Sequence, residues 1–258
     1  MSAVVEFRGV GYVVSRPGAR SHILEDLNFA VENAETLVLL GRSGSGKTTA
    51  LKMVNRLLVP ASGEVLVEGR STTAWDAIRL RRSIGYVIQE NGLFPHFTVA
   101  ENVGLVPRLE GWAPARVRTR VDELLERVDL PPGEFAGRYP RELSGGQRQR
   151  VGVARALAAD PPVLLFDEPF AALDPVTRFE LQRQFLALRD ALHKTAMFVT
   201  HDVREALMLG TRIGLMHAGR LELVAPPEEF AQAGSEEARA FLAGLDWRME
   251  RDVHRPGQ

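Results

Sequence analysis

Thr36-Leu37-Val38-Leu39-Leu40 runs straight into Gly41-Arg42-Ser43-Gly44-Ser45-Gly46-Lys47-Thr48-Thr49, and this junction decides the fold. Leu37–Leu40 is an apolar stretch of the length that suits a buried strand. The residues Gly41 to Thr48 have the spacing G-x-x-x-x-G-K-[ST]. Glycines open backbone conformations closed to other residues, so that successive N–H groups can converge on phosphate oxygens. Beyond the loop, Ala50, Leu51, Val54, Leu57 and Leu58 recur at helical spacing until Pro60 ends the helix. A helix beginning near Lys47 turns its positive end toward the same anion. In this arrangement Lys47 reaches the β- and γ-phosphates and the Thr48 hydroxyl ligates Mg²⁺. Gly41 through Thr49 are the candidate nucleotide contacts. A plain glycine-rich turn is the competing reading. With glycine near 7% of residues, a chance match arises in on the order of one chain in a hundred.

Around this unit the chain alternates. Val4–Phe7 and Val10–Val14 are short strand-like stretches, with a loop or hairpin tip at Ser15–Ser21. Residues 63–69 and 84–88 continue the strand pattern, with a turn at Glu68-Gly69. From Thr98 the character becomes helical. Thr98 and Glu101 have capping-box spacing, Val117, Val121, Leu124, Leu125 and Val128 form an amphipathic stripe, and Pro131-Pro132-Gly133 breaks it. Ser144 opens a further helix to about Ala158, and strand signals return at Val163–Phe166, Ala196–Thr200 and Arg212–Met216. The pattern predicts an α/β core over 1–90 and 158–225, an inserted helical region over 91–157, and a short tail over 226–258.

Two further runs carry chemistry. Val163-Leu164-Leu165-Phe166 ends in Asp167-Glu168. An acid leaving a buried strand can hold Mg²⁺, which suits Asp167, and Glu168 is placed to polarise an attacking water. Leu143-Ser144-Gly145-Gly146-Gln147 can cap a helix while leaving its first N–H groups open to an anion. The phosphate loop already serves one triphosphate, so this second anion-binding turn makes sense against nucleotide held by another subunit.

The order of these motifs resembles the nucleotide-binding subunit of ATP-binding-cassette transporters over nearly the whole chain. The resemblance implies a P-loop NTPase (RecA-like) core with an inserted α-helical subdomain, using ATP and Mg²⁺. It implies that Tyr12 stacks on adenine, that Gln89 senses Mg²⁺ and a membrane partner, and that His201 contacts the γ-phosphate. It also places Leu173-Asp174 in a loop crossing a dimer interface. Two copies would sandwich two nucleotides head to tail, with Lys47, Thr48, Asp167 and Glu168 of one facing Ser144, Gly145, Gly146 and Gln147 of the other. A transmembrane permease would be the partner, and an extracytoplasmic substrate-binding protein would supply cargo.

Ile84–Gln89, Gly92–His96, Val106–Leu109 and Ala172–Arg178 narrow the likeness to osmoprotectant importers, which take up glycine betaine, choline, carnitine or proline; a cassette ATPase for another importer, lipid or efflux cargo, or a soluble non-transport one, is the alternative. Ala171 stands where the family often has glycine. The 33 residues after Ala225 are too few for the paired C-terminal regulatory modules of many such importers. Phe94, Pro95 and Phe97 suggest a groove for a short permease helix, with core packing as the alternative. Arg79, Arg81, Arg82, Arg148 and Arg150 read as a solvated face, or less favourably as a contact for anionic lipid.

Composition sets the outer bounds. The 258 residues carry 32 basic and 33 acidic side chains, a net charge of −1, 45% apolar residues and no cysteine. Cysteine chemistry is excluded, and a nucleic-acid protein working by bulk electrostatics is disfavoured. No stretch approaches the roughly 18 apolar residues of a membrane span, nor does the N-terminus read as a secretory signal. The expectation is a soluble subunit held at the cytoplasmic face of a membrane through its permease. Twenty-nine of the basic residues are Arg, leaving only Lys47, Lys52 and Lys194. A compact three-donor ammonium fits a tight backbone cradle better than a planar guanidinium, so Lys at position 47 is informative.

Overall fold

The computed structural model describes residues 3–16, 19–89, 92–171 and 173–253. The expected tip at Pro17-Gly18, together with Ala172 of the Ala172–Arg178 stretch, lies outside the described residues. From the N-terminus, β1 (Ala3–Arg16) and β2 (Ala19–Glu32) pair antiparallel, and β3 (Thr36–Leu40) leads through the glycine loop into α1 (Lys47–Val54). Next come β4 (Ser62–Val67), β5 (Arg70–Ser71), α2 (Ala77–Arg82) and β6 (Ile84–Val87). Among the described residues only helices follow, namely α3 (Val99–Val103), α4 (Leu105–Leu109), α5 (Pro114–Arg127), α6 (Pro132–Phe135), a 3₁₀ turn at Pro140–Glu142 and α7 (Gly145–Leu157). Then β7 (Val163–Asp167), α8 (Pro175–Leu192), β8 (Thr195–Thr200), α9 (Val203–Leu209), β9 (Arg212–His217) and β10 (Arg220–Ala225) resume the alternation. Helices α10 (Pro227–Phe230) and α11 (Glu236–Val253) end it.

The strands form two sheets. A four-stranded antiparallel sheet has the order β2-β1-β4-β5, and a six-stranded sheet has the order β10-β9-β3-β8-β7-β6. In the larger sheet β9, β3, β8, β7 and β6 are parallel, with β10 added antiparallel at the edge. A parallel sheet covered on both faces needs strands that are apolar throughout. Strand β3 meets this requirement by dividing its side chains. Leu37 and Leu39 pack with the antiparallel sheet and α1, whereas Val38 and Leu40 pack with α7, α8 and α9. On that second face Phe198 is fully buried beside Phe166, Phe170 and Phe185, with ring centroids 5.3 to 5.5 Å away. Truncating such a ring to alanine costs about 3–5 kcal/mol.

The sequence patterns translate locally with changes at helix ends: α1 stops at Val54, short of the expected Pro60, where Arg56 turns to φ 53° and Leu57 is left exposed. The two short N-terminal stretches are one strand, bent by a bulge near Gly9, whose N–H donates to Asn28 Oδ1 at 2.7 Å. α5 ends before the prolines, at Arg127, where Asp129 turns to φ 54°, and Pro132 instead starts α6 at its first turn, where a missing N–H does no harm. The α5 stripe is buried as predicted, and Thr98 and Glu101 form the reciprocal capping box. The arginines are less free than a solvated face implies. Arg81 donates to the Asn55 and Arg56 carbonyls, Arg82 to Leu109, and Arg148 to Leu143. Arg150 pairs with Asp129 at 3.2 Å. No helix among the described residues is long and apolar enough to cross a membrane.

Candidate nucleotide-binding site

Strand order brings the chemistry together. Because β8 separates β3 from β7, with Leu40 level with Thr200 and Asp167 level with Val199, three strand ends open onto one edge of the sheet. Open parallel sheets bind ligands at this carboxyl edge. The glycine loop leaves β3, the two acids leave β7, and His201 leaves β8.

The loop is formed and tight. Gly46 caps α1 in a left-handed conformation (φ 100°), and no side chain bonds to the helix start. The first N–H groups of an eight-residue helix are thereby left to an anion. A Cβ at Gly41 would lie 2.3 Å from the Met216 carbonyl oxygen, so the cradle is closed by β9 to any larger residue. Lys47 is 4% exposed, and its Nζ donates to the carbonyls of Gly41 at 2.7 Å and Arg42 at 2.9 Å. Burial lowers the Lys47 ammonium pKa, against the opposing pull of Glu168 and Asp167. Arg42 contributes to the cradle through its backbone. Its guanidinium points to Glu237 on α11 at 2.7 Å, and His217 lies 3.4 Å from the other oxygen of Glu237. The Arg42 ion pair holds the Glu237 carboxyl below its usual range.

Around the expected metal position, Thr48 Oγ1 donates to Asp167 Oδ1 at 2.6 Å and Tyr86 Oη donates to Asp167 Oδ2 at 3.2 Å. Burial, reinforced by Asp167, raises the Tyr86 phenol pKa, so it stays a donor. Hard oxygens at the mouth of a phosphate cradle fit Mg²⁺, which takes a few protein oxygens and completes its shell from phosphate and water. Glu168 has φ 45°, rare for a residue with a side chain, and its N–H is pinned to the Val199 carbonyl at 3.0 Å. Its Oε2 lies 3.0 Å from Nδ1 of His201. Tyr12 is partly buried on β1 opposite Leu24, whose methyl lies against Gly46. Gln89 is exposed in the turn after β6.

The serine-glycine turn lies elsewhere. Ser144 caps α7, accepting from the Gln147 N–H at 3.2 Å while Gln147 Oε1 accepts from the Ser144 N–H at 2.8 Å. A Cβ at Gly146 would fall 2.5 Å from Thr177 Cγ2, so this glycine is also needed for α7 to meet α8. Asp174 caps α8 through the N–H groups of Val176 and Thr177, and its bonds to Thr177 lower its pKa. Between these helices opens a cleft of about 980 Å³ lined by Ser144, Gly146, Gln147, Val176 and Phe179. Among the described residues no hydrogen bond or ion pair joins the turn to the phosphate loop of the same chain. Sequence reasoning missed Tyr86, Glu237 and Glu205. An aromatic with a polar tip in a buried strand, and an acid on the apolar side of α9, were the available signals.

A phosphate cradle, a Thr–Asp oxygen pair and a strand-end acid on one edge of a parallel sheet define a nucleoside-triphosphate-binding α/β protein. Residues 24–171 match the ABC transporter family, and the chain belongs to that family. It is 49% identical over 238 residues to the osmoprotectant import ATP-binding protein OsmV of Salmonella typhimurium (strain LT2), covering 92% of this chain and 62% of that protein. It is 47% identical over 214 residues to the choline transport ATP-binding protein OpuBA of Bacillus subtilis (strain 168), covering 83% of this chain and 56% of that one. The chain thus spans about three-fifths of the length of these curated relatives. The fold is that of the ATP-binding cassette MJ0796, whose dimeric structure in a post-hydrolysis state holds ADP and Pi. The TM-score is 0.78 at 33% identity, covering 86% of this chain and 98% of that one.

Proposed function

We propose that this chain hydrolyses ATP to drive an importer of osmoprotectants such as glycine betaine, choline or carnitine. The observation that carries the catalytic part is the convergence of Lys47, the Thr48–Asp167 pair at 2.6 Å and the Glu168–His201 pair at 3.0 Å on one sheet edge. The names of relatives at 47–49% identity support the cargo class.

In this reading the N–H groups of residues 41–48 and the Lys47 ammonium hold the β- and γ-phosphates, and Tyr12 lies under the adenine. Thr48, Asp167 and Gln89 would hold Mg²⁺, which would offset charge on the phosphates. Glu168 accepts a proton from the attacking water as its oxygen bonds the γ-phosphorus and the bond to the β-phosphate oxygen breaks. His201 orients Glu168 and holds a γ-phosphate oxygen. Ser144, Gly145, Gly146, Gln147 and Asp174 of a second copy close over the same nucleotide. The open cleft at this turn and the dimer formed by MJ0796 support that arrangement. The core over 1–90 and 158–225 then holds the nucleotide, and the helical region over 91–157 presents the turn at Ser144 to the other copy. The subunit sits at the cytoplasmic face of the membrane through a permease. Phe94, 41% exposed just beyond Gln89, offers that permease an apolar foothold.

Glu168→Gln is expected to bind ATP as wild type does, to favour the closed dimer, and to lose nearly all steady-state ATPase. Unchanged turnover would remove Glu168 as the base. Lys47→Ala is expected to weaken nucleotide binding itself. Stimulation of ATPase by glycine betaine, but not by sulfate, in vesicles with the cognate permease and binding protein tests the cargo.

A further inference from the structure

Four residues past His201, the Glu205 carboxylate is buried, with 6% of the residue exposed. A buried carboxylate is costly unless its oxygens are bonded, and here both are. Oε2 accepts from Thr200 Oγ1 at 2.5 Å and Oε1 accepts from Gln182 Nε2 at 3.1 Å. Thr200 Oγ1 itself accepts from the Asp202 N–H at 3.0 Å. That N–H belongs to the peptide directly after His201, so the bond fixes the backbone on the far side of the imidazole. Charge-assisted bonds in series strengthen one another. On the other side, Gln182 belongs to α8, whose first turn is capped by Asp174. One turn nearer that cap, Arg178 donates to the Leu173 carbonyl at 3.3 Å and lies 3.9 Å from Asp202. Burial raises the carboxyl pKa against the pull of Thr200, Arg178 and Gln182, with Asp202 adding to the rise.

We propose that Glu205 is a positioning residue. Through Thr200 and the Asp202 N–H it fixes the turn that presents His201 to Glu168, and through Gln182 it ties that turn to the helix beginning at Asp174. The turn that carries His201 and the helix that begins at Asp174 thus share one buried acceptor. The role rests on the ATPase reading of His201 given above, which it deepens.

The test is a double-mutant cycle on the full chain. Glu205→Gln keeps size but replaces one acceptor oxygen by a donor, which faces either Thr200 or Gln182. Its kcat is expected to fall on the order of tenfold, equivalent to about 1.4 kcal/mol, with the KM for ATP within about twofold. In a His201→Ala background the same change is expected to have almost no further effect, because Glu205 acts through the imidazole. The His201 ring resonances in ¹⁵N-edited spectra are expected to shift or broaden in Glu205→Gln at constant pH. Should that variant fail to fold, Thr200→Val breaks the same link in a nearly isosteric way, and Thr200→Ser restores it. An equal loss of kcat in both backgrounds would assign Glu205 to stability alone and overturn the proposal. Wild-type kcat in Glu205→Gln and Thr200→Val, with His201→Ala impaired, would overturn it too. An active His201→Ala enzyme would instead overturn the reading of His201 on which the proposal rests.

Discussion

Gly46→Ala tests whether the phosphate cradle depends on the geometry of a single backbone position. Gly46 sits at φ 100° and ψ −1°, where a residue with a side chain is strained by about 1–3 kcal/mol. The added Cβ would lie 2.5 Å from Leu24 Cδ2 and 2.9 Å from the Ile23 carbonyl oxygen. Leu24 is 1% exposed, so its methyl has no room to withdraw, and forced overpacking adds about 1–3 kcal/mol. The total, roughly 2–6 kcal/mol, must appear either as lost stability or as a loop displaced from its ligand geometry. Gly44→Ala is the control. Its φ is +81° but nothing lies within 4 Å of the new atom, leaving strain alone, about 1–2 kcal/mol. Fluorescent-nucleotide titration and urea denaturation of both variants separate the two channels. Gly46→Ala is expected to lose at least about tenfold in ATP affinity relative to Gly44→Ala, or the equivalent ~1.4 kcal/mol in unfolding free energy. ATP affinity and stability both equal to wild type would refute the reasoning.

Three further outcomes follow from the site. Tyr86→Phe frees one oxygen of Asp167, and the Mg²⁺-dependent part of nucleotide affinity is expected to weaken a few-fold while affinity without Mg²⁺ stays constant; titrations with and without chelator check it. Burial lowers the Lys47 pKa in the free protein, and a bound polyanion raises it again, so ATP binding takes up protons and affinity falls as pH rises through the free-protein value, below lysine's usual 10.5. Calorimetry in buffers of different ionisation enthalpy measures that uptake, which should vanish in Lys47→Met. Glu237→Gln releases the Arg42 guanidinium from α11, and amide exchange over residues 42–46 is expected to quicken. High salt should quicken the same amides in the wild type and have little effect on the variant, because the exposed arm of this pair is open to screening.

Much of the site could be read from one dimension because its parts are local. The glycine loop, the capping boxes at Thr98 and Ser144, and the acids closing β7 each obtain their chemistry from residues within a few positions of one another. Other readings needed amendment. The arginines expected to be solvated satisfy backbone carbonyls at helix ends, and Gly146 turned out to carry a packing constraint from α8. The Arg42 side chain lies in the phosphate motif yet faces away from it, because an acid on the last helix competes for its charge.

The sequence by itself determined the class of fold and the chemistry of the phosphate loop, since a buried strand, glycine spacing and a helix start are sufficient to build an anion cradle. Only the tertiary structure decided which groups hold that chemistry in place. Tyr86 reaches Asp167 because β6 and β7 are neighbours in space, 81 residues apart in the chain. Glu237 reaches Arg42 across 195 residues, and Gln182 meets Glu205 only where α8 and α9 cover the same face. Such partners have no local signature. They are fixed by strand order and by the need of each buried polar group for a partner, a condition that acts only once the chain has closed around it.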